Sequence, residues 1–478
     1  MSSKMLNQQL TLHEVFSDCQ YKLQDQSPAF FELLEQHMDI DEFIPPTFYN
    51  AFHQSLGRNR DYPLTGFLSS LILQKIFSIP SVSLLILLLS ICKELRDFCG
   101  FTKVPDAPLF TRFKQTFCPW IELMFHNMVD YTEPICQAID ATLAQTLAFD
   151  TTGIELYVKE NNPKTLNSLI RRLDTYYKDN PDIDPYKMAY GLMPSSAVSS
   201  PDAKQMYING HFCYADKFAM ITNGLGIVRH IAFLDDEFKN SHPELVVEKK
   251  SDSPDEDKSI GDSSALNPVL SDFFALHPHF NPDTFLGDAA FDSIEIYSAL
   301  KDDFGFSKVL IPYNPRNESS LETVGYNIYG YPTCPKDSSL DMKYRGFCRE
   351  DGRADRHKWG CPKVHMVKGK WVCDCDDPCS TAKKGRTTYT YENMEFRMFP
   401  GIQRNSELWR ETYKIRTTIE RTINHFKTNM CVAGRKSRNH TTTKADVFVA
   451  GIASQFTAIV AFRLAKPQFI RSLKPLAV

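Results

Sequence analysis

Tyr413-Lys-Ile-Arg416-Thr-Thr-Ile-Glu420-Arg-Thr-Ile-Asn-His-Phe-Lys427 is the stretch on which the reading of this chain turns. At about 100° per residue, Tyr413, Arg416, Glu420 and Lys427 fall within a stripe about 60° wide on one helix face. A carboxylate thus sits between two cations. Such a stripe is ordinarily a solvated face laced with ion pairs. Here Trp409, Ile415, Ile419, Ile423 and Phe426 put apolar side chains over much of the remaining circumference. The pattern therefore predicts a buried helix whose polar stripe lines a cleft.

Upstream, Asp150 follows the apolar run Thr146-Leu-Ala-Phe149, and Asp288 follows Thr284-Phe-Leu-Gly287. Each aspartate is expected at the end of a short strand. Ligands of open α/β sheets collect beyond strand ends, although an aspartate there also serves ordinary turn chemistry. Asp292 is expected to cap the helix that follows it. From about residue 141, β-rich runs (205–214, 217–222, 227–233) are separated by turns such as Asn223-Gly224. A helical stretch (293–300) and another short strand (308–312) follow, which is an α/β pattern.

Residues before about 140 read as helices. Phe67–Phe77 has helical spacing, Ser81–Cys92 is too short to span a membrane and is expected as a buried helix, and Gly100 is expected to stop Lys93–Phe101. Val104-Pro-Asp-Ala-Pro108 feeds a short basic, aromatic helix, Leu109–Phe117. It is either half of a helix-turn-helix or part of a bundle that only packs.

With these residues in place, the chain resembles the transposases of bacterial insertion sequences, in the DDE group with a Tyr-x2-Arg-x3-Glu-x6-Lys signature. Tyr413, Arg416, Glu420 and Lys427 match every position of it. Asp288-Ala-Ala-Phe291 matches the block around the family's second aspartate, and Phe149-Asp150-Thr151-Thr152 resembles the first. Leu95–Phe98, Val104–Asp106 and Phe110–Phe113 resemble the leader domain, so the likeness runs from about residue 60 to residue 465. It implies an α/β, ribonuclease-H-like catalytic domain over 141–478, preceded by an all-α DNA-binding or assembly domain over 1–140. An acidic loop (235–265) and a Cys-rich insertion (315–400) would interrupt the catalytic domain.

In the implied fold the first and fourth strands are neighbours, so Asp150 and Asp288 meet and Glu420 arrives on a late helix. The implied catalytic triad, Asp150, Asp288 and Glu420, holds two Mg²⁺ ions, with Mn²⁺ as an acceptable substitute. Hard oxygen ligands suit that metal, and an ion pair stabilises both the attacking and the leaving oxygen of a phosphodiester. Water would free a 3′-hydroxyl at an element end, and that hydroxyl would then attack target DNA. Arg416 and Lys427 are implied to hold phosphates, and Tyr413 either orients a phosphate or packs. The implied partner is double-stranded DNA, both terminal inverted repeats and target, bound by a homodimer. Two rivals share the fold: a transposase-derived DNA-binding protein without catalysis, and a nuclease that cuts but never joins.

Composition sets the frame for these expectations. The chain is 478 residues long, 42% hydrophobic and 23% charged, which suits two or three folded domains rather than a disordered chain. The net charge of -4 means that a DNA-binding surface must come from local segregation. Residues 404–444 supply it, with ten basic residues against Glu407, Glu411 and Glu420. Arg435, Lys436 and Arg438, in the loop Gly434–His440, are expected to be its most exposed part.

Residues 235–262 hold ten acidic residues and four lysines and are expected to form a mobile acidic loop. Thirteen cysteines behind a polar N-terminus suggest reduced thiols, a cytoplasmic location and no membrane. Six of them fall in 334–386. Cys334, Cys348, Cys361 and Cys379 form a candidate zinc set, with Cys373 and Cys375 as substitutes for the last. No Cys-x2-Cys pair supports it, and the alternative is a set of reduced structural cysteines.

Overall fold

The computed structural model describes residues 30–53, 60–180, 182–208, 211–245, 259–314, 325–327, 331–350, 353–391, 396, 400–404, 406–434 and 437–476. Local signals account for the first helices. Helix α1 (Leu64–Ile76) follows Pro63, and α2 (Val82–Ile91) starts where the Ser81 hydroxyl accepts the Leu84 N–H. Helix α3 (Lys93–Phe98) stops before Gly100, whose φ of +68° suits a residue without Cβ. The burial expected of the apolar run is corrected. Leu85 and Leu89 are buried, whereas Leu84, Leu87 and Ile91 face outward, because only one side of α2 meets the rest of the fold.

Helix α4 (Ala107–Ile139) is 33 residues long rather than short, capped by the Asp106 carboxylate on Leu109 N–H. Phe110, Phe113, Lys114 and Phe117 are all buried in it, so this face of the helix packs into the core.

Chain alternation then builds a mixed sheet. Its strands are β1 (Thr146–Glu155), β2 (Ser196–Ala197), β3 (Ser200–Ile208), β4 (His211–Asn223), β5 (Val228–Phe233), β6 (Thr284–Leu286) and β7 (Lys308–Leu310). The order is β2-β3-β4-β1-β6-β7, with β5 also paired to β4. Strand β1 runs antiparallel to β4, from Leu147↔Asn223 to Glu155↔Ala215, and parallel to β6 through Ala148↔Leu286; β6 is parallel to β7. Asp150 is therefore inside β1, not at its end. The antiparallel partner β4 sustains the strand to Glu155, while the parallel partner stops after Leu286.

Helix α5 (Asp262–Leu276) follows the acidic segment. That segment is not all loop: Asp236–Ser241 forms a short helix, capped by the Asp235 carboxylate on Phe238 N–H and anchored by buried Phe238, an apolar contact that the polar composition conceals. Its residues 246–258 lie outside the described residues.

The signature stretch is not one continuous helix. It divides into α6 (Glu407–Lys414), α7 (Thr417–Asn424) and a wider-wound turn, His425–Asn429. Helix α8 (His440–Arg463) closes the fold. It is long and apolar enough to cross a membrane, but 89% of its most apolar window is buried inside the protein. Such all-round burial is what a core helix requires.

One hydrophobic cluster runs from Phe30 through α1, α4 and the sheet to α8 and Leu473, so helices and sheet share a core. Polar ties cross it. Arg229 of β5, fully buried, donates to Val129 O and Thr132 Oγ1 of α4 and to Gln455 Oε1 of α8. Asp446 of α8 is bonded to Lys114 of α4 at 3.0 Å and paired with Lys75 of α1 at 3.3 Å. His126 Nδ1 lies 3.1 Å from His277 Nε2, and His277 Nδ1 bonds Asp130.

Candidate active site

Register does the first part of the assembly. Ala148 pairs with Leu286, and two residues further along each chain come Asp150 and Asp288. Both aspartates thus lie beyond the same end of the parallel pairing between β1 and β6. Asp288 caps the turn Ala289–Phe291 by accepting the Ala290 N–H. Asp292 does not cap the next helix: Ser293 does, on Ile296 N–H, while the buried Asp292 carboxylate accepts Asn314 N–H. A hydroxyl one residue later is better placed for the cap, which frees Asp292 to tie down the chain after β7.

The signature helices supply the rest. Arg416, mostly buried, donates from Nη1 to Glu420 Oε1 at 2.5 Å, and its Nη2 lies 3.7 Å from Asp288 Oδ2. The Tyr413 hydroxyl donates to Gly287 O at 3.3 Å, which fixes the backbone just before Asp288. Burial raises the Tyr413 phenol to about 12, so it stays a neutral donor. Lys427 is drawn into the Asp150 field from the wide turn, and burial lowers its pKa. Although the helix breaks at Ile415 and Arg416, the Arg416–Glu420 pair survives because it spans one helical turn.

Asp150 is the most desolvated of the acids. Burial raises its carboxyl to about 6, against the lowering effects of the Thr151 N–H, which it accepts at 2.8 Å, and of Arg416; Asp288 and Asp262 push it further up. A carboxylate held in this way gains from any additional cation. Asp262, at the start of α5, accepts from Thr151 Oγ1 at 2.6 Å and pairs with Lys217 of β4 at 2.7 Å. Asp262 and Lys217 were missed from sequence. Asp262 sits in the acidic segment and Lys217 in a β-rich run, and neither has a local pattern that points to the site.

Arg416 therefore joins Asp288 to Glu420, with Asp150 and Lys427 in the same field. The three carboxylates are wider apart than a closed metal cage: among the described residues, the groups with all ligand atoms within 4.8 Å are His126, His230, His277 and Glu155, His211, Cys213.

Of the basic footprint, part is structural. Arg404 is buried, donates to Ile311 O and bonds the Tyr297 hydroxyl, and Lys444 pairs with Glu122 at 3.3 Å. These two cations are spent on the fold rather than offered to a partner. Arg438 stacks over the Tyr157 ring at 5.0 Å, while Arg435 and Lys436 lie outside the described residues. The loop is anchored at its end, where His440 lies 3.1 Å from Asp216 and 2.9 Å from Asp235; the two carboxylates raise its pKa to about 10.

The cysteines separate. Cys334, Cys361, Cys373, Cys375 and Cys379 line one small cavity. Cys348 does not; it pairs with Arg356 in a neighbouring hairpin.

No curated protein and no solved structure matches the chain. A family model described as a transposase domain (DUF772) matches residues 18–116, and that stretch supports a transposase family.

Proposed function

We propose that this protein is a DDE transposase with a ribonuclease-H-like catalytic domain over 141–478, acting in the cytoplasm on double-stranded DNA. The proposed reaction is metal-dependent cleavage of element ends, followed by strand transfer of the 3′-hydroxyl into target DNA by a homodimer. The observation that carries the reading is the Arg416 guanidinium joined to Glu420 and beside Asp288, with the partly buried Asp150 carboxyl in the same field. The strand order around β1, antiparallel on one side and parallel on the other, supports the fold assignment.

Three carboxylates suit Mg²⁺ or Mn²⁺, and the raised Asp150 pKa is a cost that a divalent cation relieves. Asp150, Asp288 and Glu420 would hold the metal, which when bound activates water and stabilises charge on the phosphate oxygens. Lys427 and Arg416 are the cations available to substrate phosphates; Arg416 must exchange at least one carboxylate for that role. Tyr413 holds the Asp288 turn in place. The exposed Arg421 and the stacked Arg438 extend the positive surface along the DNA path.

The non-catalytic rival draws on one observation: Arg416 already neutralises two of the acids. Asp150→Asn, Asp288→Asn and Glu420→Gln, assayed separately with Mg²⁺ and Mn²⁺ on DNA carrying the element ends, decide between them. Each is expected to reduce cleavage by at least about 10³-fold, a typical cost of losing a catalytic group, while DNA binding survives. Wild-type levels of cleavage in any variant refute the triad. Cleavage without joining in a strand-transfer assay favours the nuclease.

A further inference from the structure

Between β7 and α6 the chain forms a module of small hairpins: β8 (Thr333–Cys334), β9 (Asp337–Asp341), β10 (Lys343–Glu350), β11 (Arg353–Gly360), β12 (Val364–Val367), β13 (Lys370–Cys373) and β14 (Thr387–Tyr391). They fall into three separate sheets, β8-β9, β10-β11-β14 and β12-β13. Two-stranded hairpins are marginal in water without an apolar face to bury. This module has almost none. Its buried apolar side chains among the described residues are Tyr326, Cys334, Met342, Cys361 and Val364, and none joins a hydrophobic core cluster. Tyr331, Tyr344, Phe347, Met366 and Val372 are exposed. No disulfide links the described cysteines. Something other than apolar burial must hold the three sheets together.

The cysteines meet where the sheets meet. Cys334 ends β8, Cys361 follows β11, Cys373 ends β13, and Cys375 and Cys379 lie in the next loop. All five line a cavity of about 10 Å³, room for one small ion or water. Lys336 bonds the Asp377 carbonyl at 2.7 Å and so fastens the β8-β9 hairpin to the cysteine loop. Arg386 also lines the cavity, and its buried Nη1 has no hydrogen-bond partner. A thiolate shell gives that N–H an acceptor. The backbone closes tightly here. Cys361 N–H donates to Arg386 O at 2.9 Å, and at Gly385 (φ +70°) a Cβ would fall 2.9 Å from Cys361 Cβ.

We propose that Cys334, Cys361, Cys379 and one of the adjacent pair Cys373 and Cys375 bind a single Zn²⁺ ion that staples the three sheets of this module. The site is structural: four thiolates close the coordination shell and leave no position for substrate. The sulfurs are wider apart than the 4.8 Å groups found elsewhere among the described residues, so binding draws the loop 374–379 inward to bonds of about 2.3 Å. Cys348, on the far hairpin, is outside the set. Zinc binding here is independent of the catalytic reading, since it rests on different residues.

The test measures metal in the full-length protein, purified under reducing conditions with no metal added. Mass spectrometry of the metal content is expected to give about one zinc per chain. Cys361→Ser and the double variant Cys373→Ser/Cys375→Ser should fall to about a tenth of that or less, whereas Cys348→Ser and Asp150→Asn should retain it. Should Cys361→Ser aggregate, the wild type supplies the second readout. Chelation should open residues 333–391 to protease, and Zn²⁺ should restore protection. Reconstitution with Co²⁺ should give the visible and thiolate charge-transfer bands of a tetrahedral tetrathiolate. Wild-type protein without stoichiometric metal, iron in place of zinc, full zinc in Cys361→Ser, or proteolysis indifferent to chelator would each overturn the proposal.

Discussion

Replacing Asp446 by asparagine is expected to destabilise the whole fold, because Asp446 is the anion between two buried lysines on different helices. Lys75 and Lys114 are only 3% and 5% exposed at their side chains, at 3.3 and 3.0 Å from the carboxylate. The two cations hold the carboxyl down to about 2, from an ordinary 3.8, which corresponds to about 2.5 kcal/mol favouring its ionised form. The same burial works against the cations, and the Lys75 pKa is lowered despite its partner. The triad is thus a balance of attraction against desolvation, and its net worth is small even though breaking it is costly. A neutral amide at this position would leave two ammonium groups in the core, for an expected loss of about 3–5 kcal/mol. Urea unfolding followed by tryptophan fluorescence measures the loss, and hydrogen exchange should show α1 and α4 opening first. Lys75→Met/Lys114→Met/Asp446→Leu should recover most of it, since no charge is then buried. A loss under about 1 kcal/mol in Asp446→Asn refutes the argument, as does a triple variant no more stable than the single. The sign with pH is fixed: Asp446 contributes above about pH 3.8, and the contribution fades as pH falls towards 2.

Gly401→Ala should cost more than about 2 kcal/mol, because φ is +85° and the added Cβ would fall 1.8 Å from Ser307 O; thermal denaturation reads it, and a neutral outcome contradicts the packing. Burial lowers His126 to about 3 and His230 well below 6.5, so both fold neutral. Stability is then full above about pH 6.5 and drops by about 1.4 kcal/mol per pH unit for each histidine as pH falls below it. Asp150, raised to about 6, contributes the opposite slope, so Asp150→Asn should steepen the acid loss; a urea midpoint unchanged between pH 7 and 5 counts against neutral burial. Arg404→Gln should lower stability by about 2–3 kcal/mol yet leave the salt dependence of DNA binding unchanged, because the guanidinium is committed to Ile311 O and Tyr297. A lost counterion in the salt slope would return Arg404 to the DNA surface.

Most of the local chemistry was legible in the order of the residues. One helical turn separates Arg416 from Glu420, so their ion pair could be read from spacing and survives even where the helix breaks. Gly100 as a helix stop is equally local, since backbone freedom belongs to a single residue. The aspartates were legible as candidates and no more, because any strand-end aspartate has turn chemistry available to it.

What tertiary structure decided is which distant groups share a dielectric. The parallel register of β1 and β6 sets Asp150 level with Asp288, and no periodicity encodes a pairing across 138 residues. The same basic residue types became core at Lys114 and Arg404 but surface at Arg421, since burial depends on which face a neighbouring element covers. Asp262 and Lys217 entered the site from segments that carry no signal of it. Cysteine spacing grouped Cys348 with Cys334 and Cys361, whereas strand pairing carries it off to another hairpin. Order along the chain determines chemistry within about one helical turn or one strand, and longer range is set by register and by the shared core.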